Sequence, residues 1–240
     1  MSVPSARVVR DLAPQGVLRA SINLGNAVLA AGTPEDPSGV TVDLAREIAV
    51  RLGVEPRFIC FDAARKSFEA LQTGLADIGF LAIEPEREAE LAFTAPYAVI
   101  EAVYVARDDG PVESPAHVDR HGIRVGVKRG SAYDLFLTRT LASAEVVRRD
   151  EGVEVFADEG LQVGAGIRLP VTSWVTSHPG HRVLEPAFMQ IRQAVATTRD
   201  RDAAGIDFLR RTVRELIETG FVRTALAGSG QDPDLVAAPG

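Results

Sequence analysis

A chain of 240 residues, 46% hydrophobic and 25% charged, has the composition of an ordinary globular protein, with room for one large domain or two lobes of about 100 residues each. Its net charge of −7 argues against the strongly basic face of a duplex-binding protein and predicts no nucleic-acid partner. A single cysteine, Cys60, excludes a disulfide within the chain and reads as a buried strand residue in "PRFICFD".

The opening stretch "MSVPSARVVRDLAPQGVLRASINLG" lacks the apolar core of about 7–15 residues that a secretory signal needs. No window approaches the ~18 apolar residues of a membrane span. As written the chain reads as cytoplasmic; a chain trimmed of a leader would be periplasmic.

In chain order, "GVLRASINL" (16–24) predicts a first strand, followed by an irregular loop to Gly39. In "TVDLAREIAVRLG" (41–53) the apolar residues Val42, Leu44, Ala45, Ile48, Ala49 and Leu52 form one buried helical face, and Gly53 is a natural stop. "EPRFICFD", "ARKSFEALQTG" and "ADIGFLA" continue as strand, helix and strand, giving the alternation of a mostly parallel sheet. "AVIEAVYVARDD" (98–109) is a long β run. A second α/β unit begins at "IRVGVKRGSAYDLFLTRTL", with its helix starting near Ser131, a residue type that caps helices. "AEVVRR" predicts a strand, "EGVEVFADEG" a short helix and "LQVGAGI" a strand loosened by glycine. "AFMQIRQAVATT" (187–198) is the second long β run, and the chain closes with an amphipathic helix broken by glycine and a tail expected to fray. Two long β runs flanking a middle unit predict a two-lobed α/β protein with a cleft and a hinge. Residues 1–103 and 193–240 would form lobe 1 and residues 104–192 lobe 2.

The ordered landmarks "GVLRASI", "GVTVDLAREIAVRLGV", "FEALQTGLADIGFLAIEPEREAELAFTAPY", "IRVGVKRGSAYDLFL" and the closing helix with "GFV" resemble the type II periplasmic solute-binding proteins, family 3, which usually serve amino-acid ABC transporters. The resemblance runs from Gly16 to about Ala227. It implies the periplasmic-binding-protein fold, closure on a small solute, a monomer, no cofactor, no metal, and an ABC transporter permease as partner if the chain is exported.

Residue by residue, the resemblance makes Arg87 the clamp for a ligand carboxylate, because a guanidinium offers a planar fork of donors matched to two carboxylate oxygens. Read without it, Arg87 among Glu84, Glu86, Glu88 and Glu90 is equally a charge on a solvated helix face, with glutamates mostly facing solvent. Lys128, Gly130, Ser131 and Ala132 match a loop and helix start that present N–H groups to an anion; a strand-end lysine and a simple N-cap are the plainer readings. Asn23 and Asn26 stand where amino-acid binders usually carry an acid and an aromatic, and Leu81, Ala82 and Ile83 offer backbone groups.

In lobe 2 the family's aspartate for a ligand ammonium has no counterpart, since "LQVGAGIRLP" contains no acid and places Arg168 close by. Burying an unpaired ammonium is costly, so the expected ligand is a small carboxylate or other anion without a free α-amine. Glu101 and Gln190, on the two long β runs, are possible hinge or cleft residues. His117, His121, His178 and His181 lack metal-ligand spacing, and Trp174 reads as a packing residue on a helix. The alternative is a dehydratase of the cyclohexadienyl type on the same fold, with Glu101 or Glu84 as general acid.

Overall fold

The computed structural model describes residues 4–150 and 152–238. The chain divides into two compact units, one formed by residues 1–99 and 192–240, the other by residues 100–191.

The first unit opens with a helix that the sequence reading did not anticipate, α1 (Ala6–Leu12), whose N-cap Ser5 accepts a hydrogen bond from Val8 N. Strand β1 (Val17–Asn23) pairs in parallel with β4 (Glu55–Phe61) and with β5 (Ile78–Ala82). The loop after β1 is more ordered than expected: β2 (Ala31–Gly32) and β3 (Pro37–Ser38) pair antiparallel within it. Helix α2 (Val40–Leu52) buries Val42, Leu44, Ala45, Ile48, Ala49 and Leu52, the six residues of the predicted stripe, and Gly53 ends it at φ 74°. That left-handed conformation favours glycine because it has no Cβ to clash. Helix α3 (Ala64–Gln72) crosses from β4 to β5 and packs Ala70 and Leu71 into a cluster with Ala76, Leu81, Leu91 and Ala196.

After a one-turn helix α4 (Pro85–Glu88), strand β6 (Leu91–Arg107) carries the chain out of the first unit. Within the second unit β6 pairs antiparallel with β9 (Val163–Ile167), which pairs in parallel with β7 (Arg124–Lys128), itself parallel to β8 (Glu145–Arg149). Helix α5 (Ala132–Thr140) follows β7, α6 (Glu154–Asp158) follows β8 and α7 (Arg168–Ser177) follows β9. The core of this unit gathers Val103, Val105, Val147, Val153, Val155, Phe156, Leu161 and Val171, with Trp174 packed against it. Trp174 lies on α7 and stacks on His178 with ring centroids 4.0 Å apart.

Strand β10 (His181–Thr198) returns the chain to the first unit, where it pairs antiparallel with β5. Helices α8 (Ala203–Glu218) and α9 (Phe221–Gly228) meet at Gly220, the predicted break. The described part of the tail is held rather than frayed: Ala98 and Val236 form an antiparallel bridge, and Ala237 N donates to Tyr97 O at 3.1 Å, while the expectation for residues 239–240 lies outside the described residues. An apolar Val–Ala pair with a strand edge to join satisfies its backbone there rather than in water. Cys60 also departs from expectation. It lies on β4, the outermost strand of its sheet, and is only half-buried.

Candidate functional site

Parallel strands carry ligands outside their carboxyl ends, so each unit is considered at that edge. In the first unit the edge consists of Asn23, Phe61 and Ala82 at the ends of β1, β4 and β5, with the loops that follow. The loops after β1 and β4 are locked together. Leu24 N donates to Phe61 O at 2.7 Å, and Asn23 Oδ1 accepts from Gly25 N at 3.0 Å. Gly25 lies so close to the next loop that a Cβ would sit 1.9 Å from the carbonyl oxygen of Asp62. Asn26 is buried, and its Oδ1 has no hydrogen-bond partner among the described residues. Beside these loops lies a cavity of about 290 Å³ lined by Leu24, Pro34, Cys60, Phe61, Asp62 and Lys66. Burial and nearby Glu35 push the Cys60 thiol above its ordinary range.

Arg87 is not among those lining residues. It lies on α4, only 2% exposed, and its Nη1 donates to Ala82 O at 3.2 Å. Burial brings its guanidinium down to about 10, an effect that Glu84 and then Glu86 oppose. It is therefore still a cation at neutral pH. The solvated-face reading of Arg87 is corrected, because Pro85 starts a single turn whose third residue points inward. Of the four glutamates, Glu86, Glu88 and Glu90 are exposed as expected, whereas Glu84 is 2% exposed.

Backbone groups expected to face a ligand on β5 are partly committed within the unit. The Ala82 carbonyl receives Arg87, and Ile83 N donates to Arg192 O at 2.9 Å. Leu81 and Ala82 are buried, and Leu81 pairs in register with Ala194 of β10.

In the second unit, Lys128 ends β7 half-buried. Ser131 caps α5, its Oγ accepting from Asp134 N at 3.1 Å, and Ala132 is the buried first residue of that helix. Gly130, expected to offer its N–H to an anion, donates it to Asp134 Oδ2 at 2.8 Å. Asp134 is 4% exposed and also accepts from Arg148 Nε at 2.8 Å, so a carboxylate of the chain already serves this turn. The missed signal was an acid three residues after an N-cap serine, the spacing of a reciprocal cap.

Arg168 begins α7 at the carboxyl end of β9. Its Nε donates to Glu101 Oε2, its Nη1 to Glu185 Oε1 and its Nη2 to Glu185 Oε2, the last at 2.9 Å. Hydrogen bonding to Glu185 first, and Glu101 as well, raises its guanidinium against the opposing effect of burial, while the same pairing lowers Glu185. The reading of Arg168 as a direct ligand contact is thereby changed, because its fork is engaged by two side chains remote in sequence. Gln190 is exposed on β10.

At the opposite, amino-terminal edge of the first unit, Asp77 receives Arg19 Nε at 2.9 Å, Arg19 Nη2 at 2.7 Å and Arg201 Nη2 at 2.8 Å, with Asp77 only 1% exposed. Sequence reasoning did not single out these residues. Among the described residues no group of three or more His, Cys, Asp or Glu is placed to hold a metal, and no helix is long and apolar enough to cross a membrane.

Comparison with known proteins matches residues 29–226 to the family described as bacterial extracellular solute-binding proteins, family 3. A curated relative, the virulence sensor protein BvgS of Bordetella pertussis, is 30% identical over 154 residues, covering 62% of this chain and 12% of that protein. The chain thus spans about an eighth of that relative's length. Among solved structures, a mutant of ArgBP from T. maritima superposes with a TM-score of 0.75 at 21% identity, covering 93% of this chain and 99% of that one. The ancestral amino acid-binding protein AncCDT-1, described as a precursor of cyclohexadienyl dehydratase, superposes with a TM-score of 0.74 at 18% identity over 93% and 99%. These likenesses bear out the type II α/β fold.

Proposed function

The chain belongs to the bacterial extracellular solute-binding proteins, family 3, and from that premise we propose that it binds a small solute bearing a carboxylate or comparable anionic group without a free α-amine. The observation that carries this reading is Arg87, a cationic guanidinium almost fully buried just beyond the carboxyl end of β5. Glu84 and Glu86 hold that guanidinium ionised against its burial, and its planar fork of donors matches the two oxygens of a carboxylate. Asn23, Asn26, Leu81, Ala82 and Ile83 in the first unit, and Lys128, Ser131 and Ala132 in the second, are the proposed further contacts. Asn26 adds a buried acceptor that a hydroxyl of the solute would satisfy. Gly130 is withdrawn from that set because Asp134 takes its N–H.

The partner would be an ABC transporter permease if the protein is exported. A second reading, favoured by the match to BvgS, is the solute-sensing part of a longer signalling protein. The dehydratase alternative draws on AncCDT-1 only through the fold. It is weakened by Glu101, whose Oε2 accepts from Arg168 and is poorly placed to deliver a proton.

The test is a thermal-shift screen of wild type and Arg87→Ala against small carboxylates, hydroxy acids and amino acids. A ligand at a hundredfold excess over its Kd adds about 2.7 kcal/mol. The expected result is a rise for an organic acid in wild type and none in the variant. Tight binding of a standard α-amino acid with every simple acid failing would overturn the ligand class.

A further inference from the structure

Arg168, Glu101 and Glu185 come from three elements of the second unit, namely the first turn of α7, β6 and β10. Their meeting is built into the strand pairing. Ala102 pairs with Ile167 across β6 and β9, which brings the preceding residue of one strand beside the following residue of the other. The cluster therefore lies at the carboxyl end of β9, the same edge of the parallel pair at which Lys128 ends β7. One guanidinium stands between two carboxylates, a net charge of −1 from one positive and two negative groups.

We propose that Arg168 is a resident cation, occupying the Glu101–Glu185 carboxylate pair where a ligand's ammonium or guanidinium would otherwise bind, and so setting the second unit against cationic solutes. This rests on the reading that the unit's strand edge faces solute. Glu185 takes two parallel N–H bonds and Glu101 a third, so the donor fork is matched on two sides. A soluble cation would have to displace a group tethered to the chain, whose effective concentration is on the order of millimolar or higher. Without Arg168 two part-exposed carboxylates would be left side by side, a like-charge pair whose repulsion an added cation relieves. The raised guanidinium of Arg168 and the lowered carboxyl of Glu185 agree with mutual stabilisation of the ionised forms.

Two roles compete for the same contacts. In one, Arg168 only braces α7 against β6 and β10. In the other it excludes cations. Ethylguanidinium separates them, because it replaces the headgroup removed by Arg168→Ala without restoring a covalent brace. Calorimetric titration of low-millimolar ethylguanidinium into the full chain is expected to show at least tenfold tighter binding to Arg168→Ala than to wild type. The gain should vanish in Arg168→Ala/Glu185→Gln, while uncharged ethylurea should bind neither protein. Arg168→Met, which keeps more of the side-chain volume, is the companion variant if the alanine substitution lowers folding yield. Folded variants that gain no affinity for the cation, or a gain that survives Glu185→Gln, would overturn the proposal. So would failure of both variants to fold, since that outcome assigns Arg168 to bracing. The titration needs no organic acid, so it reads out even if the screen with Arg87→Ala finds none.

Discussion

Each unit holds an arginine–carboxylate triad, and the two are opposite in stoichiometry, burial and position. In the first unit one carboxylate, Asp77, sits between Arg19 and Arg201 at the amino-terminal edge of the parallel strands, its side chain fully buried. In the second, one arginine, Arg168, sits between Glu101 and Glu185 at the carboxyl edge, with side-chain exposures of 34%, 41% and 60%. The buried triad also ties the backbone, since Arg19 N donates to Asp77 Oδ2, Asp77 N to Arg19 O, and Thr197 Oγ1 to Asp77 O. The exposed triad consists of side chains alone. What the contrast teaches is that the same chemistry fastens a fold where water is excluded and the backbone takes part, and remains exchangeable where neither holds.

The largest expected effect is on the buried triad. Asp77→Ala leaves Arg19 and Arg201 without the carboxylate they share, a change that typically costs about 3–5 kcal/mol. Urea unfolding should register it as a lower midpoint with an unchanged slope, and a cost below about 1 kcal/mol would erase the distinction between the triads.

A smaller effect is expected at the exposed one. At neutral pH, Arg168→Ala should change stability by no more than the roughly 1 kcal/mol found for solvent-exposed pairs. Its signature lies in acid. Pairing holds Glu185 below the ordinary glutamate value of 4.5, so the associated stability is fully present above that value and is lost as pH falls through the lower folded-state value. Thermal melts from pH 6 downward should therefore fall more steeply for wild type than for Arg168→Ala. Parallel curves would mean that the triad contributes nothing in solution.

An effect of similar size to that at the exposed triad concerns a cap remote from both. Ser131→Ala removes the acceptor for Asp134 N and should cost about 1 kcal/mol, with Asn at this position restoring most of it.

Most of the fold was legible because it rests on short-range patterns. The six-residue stripe of α2, its closing Gly53, the β-rich runs and the serine before α5 are each set by neighbours a few residues apart. Helix α1 escaped because seven residues give little periodicity. Cys60 was misjudged because apolar flanks do not distinguish an outer strand from a central one. The arginine triads were illegible for a different reason. Arg168 is 67 residues from Glu101 and Arg201 is 124 from Asp77, so only the folded register brings them together. An absence of acid in "LQVGAGIRLP" correctly described the segment, yet the structure delivers two acids to its end from elsewhere. Arg87 was picked out as a cation among glutamates, but its inward orientation depended on Pro85 opening a single helical turn.

The contact between Gly25 and the Asp62 carbonyl has a practical consequence for anyone redesigning specificity. With no room for even a methyl group, the segments 23–26 and 61–62 behave as one part drawn from two places in the gene. Libraries that randomise either stretch alone would consist largely of misassembled members. Diversity would have to enter at Asn23 and Asn26 while Gly25 stays fixed, so that the outline of this edge is inherited and only its chemistry is varied.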